Sequence, residues 1–141
     1  MANAIWLLMA LPSWYFGAAS NPFSGGALTL VPAVGALSLI VGTILGVIQR
    51  KRDLLWFLVL FALSEMLVVI AGVMRGQVRP MSGPLNVWLY VFLGLQLVLS
   101  GYLIYRIKGA RTSATALGVF SVTYAATATF VAAMSFTDSW L

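Results

Sequence analysis

Four stretches of this chain, residues 27–48, 54–74, 85–105 and 113–135, run for about 20 residues each without a Lys or Arg. That is the length an α-helix needs to cross about 30 Å of hydrocarbon. Inside hydrocarbon no water satisfies the backbone, so a spanning segment must be a helix or part of a closed barrel. The runs are continuous rather than alternating, which predicts helices. Of the 141 residues 62% are apolar and only 8% are charged, against about 25% charged in soluble domains. The expected fold is an all-α integral membrane protein, a single transmembrane domain over residues 1–141. It comprises a bundle of four long transmembrane helices plus a short N-terminal hydrophobic helix.

The N-terminal helix is the less regular case. The segment "AIWLLMALPSWYFGAAS" gives about 25 Å of helix and is interrupted by Pro12. No Lys or Arg precedes its apolar stretch, which argues against a secretory signal. The expectation is a retained spanning or half-spanning helix with Trp14 and Tyr15 as interfacial anchors, the alternative being a helix lying on the surface.

The basic residues separate these runs. All eight Lys and Arg fall in three clusters: Arg50, Lys51 and Arg52; Arg75 and Arg79; Arg106, Lys108 and Arg111. The first and third share one face, so the positive-inside bias places residues 49–53 and 106–112 in the cytoplasm. The expected location is a bacterial inner (plasma) membrane, and no nucleic-acid surface is expected from cations deployed this way. Asp53 and Thr112 or Ser113 are the candidate helix N-caps.

With no Cys and no His, the chain lacks thiolate nucleophiles, disulfides and the usual zinc and haem ligands. No enzyme activity, cofactor or metal site is expected.

The residue that demands a reason is Glu65, the one acid inside "FALSEMLVV". Counting along the spans puts it near the middle of its helix, where a charge costs at least ~3 kcal/mol. Gln96, Thr123, Tyr124 and Ser38 count to the same depth in the other three spans, so four helices can share one polar layer. No cation lies at that depth, so a protonated Glu65 is expected, donating to the Gln96 carbonyl or accepting from the Tyr124 hydroxyl. Such a carboxyl can exchange a proton for a cation midway across a membrane. The plainer role is an interhelical hydrogen bond of about 0.6 kcal/mol that fixes register.

Other signals are structural. Ser38, Gly42 and Gly46 recur every four residues along one helix, as do Ser121, Ala125, Thr129 and Ala133 on the last. Small residues let backbones approach, either inside the bundle or against a second subunit. Pro32 and Gly35 mark either a loosened helix or simply a helix start. Arg75 and Arg79, with Gln77 between them, are either an anion or headgroup site or snorkelling side chains. Asp138 is expected to be solvated.

Two functions follow as expectations. One is an oligomeric transporter or channel for a small solute or ion, with Glu65 as its midplane proton or cation site. The alternative is a non-catalytic accessory or assembly subunit of a larger membrane complex. The expected partners are the lipid bilayer and either further copies of the chain or that larger complex.

Overall fold

The computed structural model describes residues 2–21, 27–73 and 83–137. Within them the chain forms α1 (Ala2–Ser20), α2 (Ala27–Gln49), α3 (Trp56–Val73, entered through a 3₁₀ turn at Arg52–Leu55), α4 (Gly83–Arg106) and α5 (Arg111–Thr137). No strand occurs among the described residues. Four segments, Thr29–Gln49, Arg52–Val73, Val87–Arg106 and Arg111–Ser135, are long and apolar enough to cross a membrane. They match the four apolar runs, extended at some ends by a residue or two because helical hydrogen bonding continues past the first polar side chain.

α2, α3 and α4 all pack on α5, while α1 lies mainly against α2 and α3. The pairs Gln49 with Ser113 and Gly42 with Leu117 show α2 running antiparallel to α5. Phe61 with Phe120 and Glu65 with Tyr124 show α3 running parallel to it. Ile104 against Gly118 and Leu89 clustered with Ala132 make α4 antiparallel again. α2 and α3 therefore rest on α5 more than on each other.

The small-residue faces are used inside this one chain. A Cβ on Gly42 would stand 2.8 Å from Leu117 Cγ and 3.1 Å from its backbone nitrogen, so α2 seats directly on α5. A Cβ on Gly46 would stand 2.9 Å from Leu54 Cδ1, and Ser121 and Ala125 are buried in the bundle. Small residues let the backbones approach closely, and dispersion between them holds such contacts.

Several local expectations are corrected. Asp53 does not cap a helix: it lies inside the 3₁₀ turn, whose cap position is Lys51 and carries no side-chain cap bond. There it still places an acid in the first turn, near the positive end of the helix dipole. Ser113 Oγ donates to Gln49 Oε1 at 2.7 Å, tying the first turn of α5 to the last turn of α2. Pro32 sits in the sixth position of α2, past the four N–H groups that lack helical partners anyway, yet the helix runs on through it. It is buried, and its cost is one missing bond to the carbonyl of residue 28. Arg75, Gln77, Arg79 and Asp138 lie outside the described residues.

Candidate functional site

Helix phase decides which side chains meet at the middle of the bundle. Successive residues on a helix point about 100° apart, so neighbours engage different partners. On α3, Ser64 and Glu65 divide in this way. Ser64 Oγ donates to the Leu60 carbonyl at 3.1 Å, and Gln96 Nε2 of α4 donates to that carbonyl at 3.2 Å and to Ser64 Oγ at 3.5 Å. Glu65 turns instead toward α5, where the Tyr124 hydroxyl donates to its Oε1.

Glu65 is only 7% exposed, and its second oxygen, Oε2, is buried with no hydrogen-bond partner. Of the two expected partners the structure supplies Tyr124. The expected bond to Gln96 is not made, because Gln96 is committed to the α3 backbone one turn away and its own Oε1 is unpartnered. Ser100 Oγ and Ser121 Oγ are likewise buried without partners. Since a buried polar atom left unpaired costs about 1–3 kcal/mol, these atoms mark the layer as polar beyond what its own bonds consume.

Tyr124 is clamped. Its ring centroid lies 4.9 Å from that of Tyr15 and 4.7 Å from that of Phe61, with Phe120 at 5.5 Å. Tilted aromatic packing of this kind fixes ring orientation as well as burying area. The phenol is thereby aimed at Glu65 by its surroundings.

Tyr15 overturns its assignment as an interfacial anchor. It is fully buried at the height of Tyr124, and its hydroxyl lies 2.8 Å from Thr123 Oγ1. Thr123 spends its own proton on the Phe120 carbonyl at 2.9 Å, so Tyr15 is the donor. Trp14, its neighbour, is 44% exposed on the other side of α1.

α2 contributes space here. A Cβ at Gly35 would overlap the Tyr15 hydroxyl and Thr123 Oγ1, so the absence of a side chain makes room for that bond. Ser38 lies half-buried about one turn farther along α2. The central group is thus Glu65, Tyr124, Thr123 and Tyr15, with Gln96 beside it on the far face of α3. Sequence counting found the first three and missed Tyr15, whose depth depends on how far α1 is docked along α5.

Beside Glu65 a shallow depression of about 460 Å³ opens on the outer face of α3, bounded by Phe61, Ala62, Met66, Val69 and Ile70. Chemically the site is a carboxyl with one oxygen held and the other unclaimed, near a lateral opening and far from any described cation. Among the described residues no cluster of metal-ligating side chains occurs. Compared with known proteins, the chain matches no family model, no curated protein and no solved structure.

Proposed function

We propose that this chain is embedded in a plasma membrane as an oligomeric transporter or channel for a small solute or ion, with Glu65 as the group that takes up and releases a proton or cation. The observation that carries the reading is the Glu65 carboxyl: buried at mid-bundle, Oε1 held by Tyr124, Oε2 unpartnered. An ionisable group at that depth must be offset by function or by bonding, and one hydrogen bond offsets only part of the cost.

Embedding itself is supported by the outer surface. Leu37, Val47, Ile48 and Val98 are 64%, 71%, 71% and 69% exposed, a distribution suited to lipid and unsuited to water. Exposed aromatics ring both ends of the bundle, with Trp88 and Tyr90 at one and Trp56 and Tyr105 at the other. Along α4, Trp88 and Tyr105 are about 26 Å apart, close to a hydrocarbon thickness. α1 runs about 20 Å from Ala2 to the buried Tyr15 but only about 8 Å beyond it to Ser20, less than the ~15 Å of half a bilayer, which favours a helix that stops short of the second face.

A second copy is part of the proposal because α5 fills the centre of a single bundle. The Glu65 depression opens sideways on α3, so a path past the carboxyl forms between neighbouring chains rather than through one.

Reconstituted vesicles loaded with a pH-sensitive dye test this. An imposed monovalent-cation gradient should move protons in the wild type, and Glu65→Gln should fold normally yet lose that movement. Equal proton movement in Glu65→Gln, or none above empty vesicles in the wild type, overturns the transport reading. The second reading, an accessory subunit, is favoured by how fully Tyr15 and Thr123 are engaged in bonds inside the bundle. Reliable copurification with a larger complex would select it.

A further inference from the structure

A larger opening than the one beside Glu65 lies elsewhere. Because α2 and α3 both rest on α5, a groove of about 600 Å³ remains between them, floored by Leu117, walled by Thr43 and Leu58, and ending at Arg50, Lys51 and Arg52. That volume is in the range of pockets that hold small molecules, about 300–1,000 Å³. Along α2 the lining runs from Leu39 to Arg50, about 16 Å of helix. That is one half of a ~30 Å hydrocarbon layer, so the groove is as deep as a single leaflet.

Its lining is apolar along its length and cationic only at the mouth. Both rims face outward, Val47 being 71% and Leu58 62% exposed, so the groove is continuous with whatever surrounds the bundle. At the mouth Asp53 is the only acid in either of the two loops there. A Cβ on Gly109 would stand 3.9 Å from Lys51 Cε, so the loop carrying Lys108 lies alongside and adds its positive charge.

Arg50 adds an independent sign. Its φ is 48°, the left-handed conformation that glycine adopts freely and other L-residues at a cost. A cation stands where the backbone alone would favour glycine.

We propose that this groove binds one anionic phospholipid, an acyl chain lying against Leu117 between α2 and α3 and the phosphate held by Arg50, Lys51 and Arg52. The inference rests on the embedding argued above, and it is independent of transport through Glu65. Length, apolar lining and opening toward the surroundings fit an acyl chain. The cationic mouth selects an anionic headgroup over a zwitterionic one, whose own ammonium cancels the net charge.

The test uses the full chain in detergent micelles, with bound lipid read by native mass spectrometry. Dioleoyl phosphatidylglycerol should be retained at one per chain, dioleoyl phosphatidylcholine bound at least about tenfold more weakly, and glycerol phosphate, which lacks chains, not bound. Each cation near a membrane surface contributes about fivefold, so Arg50→Gly with Lys51→Gln and Arg52→Gln should weaken phosphatidylglycerol about a hundredfold. Arg50→Gly alone should weaken the lipid while keeping or raising lipid-free thermal stability, which a merely structural Arg50 would lower. Thr43→Phe, on an exposed groove wall, should displace both lipids without lowering lipid-free stability. Equal retention of the two lipids, equal binding of glycerol phosphate, or wild-type retention in either the triple variant or Thr43→Phe overturns the proposal. Glu65→Gln should bind phosphatidylglycerol normally, so a failed flux assay leaves this site standing, whereas a chain that stays dispersed in water without detergent removes the embedding beneath both.

Discussion

Replacing Gly35 by Ala adds one methyl group at the most crowded point of the polar layer. The new Cβ would overlap the Tyr15 hydroxyl and Thr123 Oγ1 and come to 3.0 Å from Tyr15 Cζ. Tyr15 is wholly buried, so its ring has little room to retreat. Overpacking of this kind costs about 1–3 kcal/mol, and losing the Tyr15 to Thr123 hydrogen bond adds about 0.6 kcal/mol. The gain in helix propensity from Gly to Ala returns up to about 1 kcal/mol. The net expectation is a loss of about 1–3 kcal/mol, read from reversible unfolding by SDS titration in mixed micelles. Gly17→Ala is the control, because nothing lies within 4 Å of a Cβ there, and it should be neutral or slightly stabilising. In a Tyr15→Phe/Thr123→Ala background the obstructing oxygens are gone, and Gly35→Ala should cost less than about 1 kcal/mol. An equal cost in both backgrounds would refute the claim that Gly35 exists to clear this bond.

Gly42→Ile should destabilise the isolated chain by about 1–3 kcal/mol, because it drives α2 off the Leu117 backbone, while Leu45→Ile should be nearly neutral; if Gly42→Ile alters only oligomer assembly and not the unfolding midpoint, the face is intermolecular. The native chain has no Cys, so Lys51→Cys and Lys108→Cys should both react with an impermeant thiol reagent from the cytoplasmic side only. Reaction from opposite sides would contradict the adjacency of the two basic loops.

Much of the helical framework is legible in the sequence because one physical requirement sets it. A run of about 20 apolar residues without a charge has few alternatives to a long helix, so the four segments can be read off to within a few residues at their ends. Which helix occupies the centre is not legible in that way. α5 is less apolar than α2 or α3, which in hydrocarbon argues for shelter from lipid without saying which helices cover it. It is central because small residues, Gly118, Ser121, Ala125 and Ala128, let three other helices approach it closely. That property depends on side-chain volume rather than on hydropathy.

The polar layer divides along the same line. Depth along a helix is arithmetic at about 1.5 Å per residue, so Glu65, Gln96, Thr123 and Tyr124 can be brought to one level by counting. Rotation is a separate coordinate. Ser64, Glu65 and Met66 occupy nearly the same depth, yet the first turns to α4, the second to Tyr124 on α5, and the third is 59% exposed on the outer face. Moving the acid by one residue in either direction would keep its depth and lose Tyr124. The same separation explains why counting paired Glu65 with Gln96, which share a level on opposite sides of α3. Tyr15 escapes counting altogether, because α1 has no apolar run long enough to fix its own depth. Its height is set by the Thr123 hydroxyl and by the space that Gly35 leaves for the bond. The tyrosine that completes the site is therefore positioned by a glycine on another helix, a dependence that no single segment of the sequence carries.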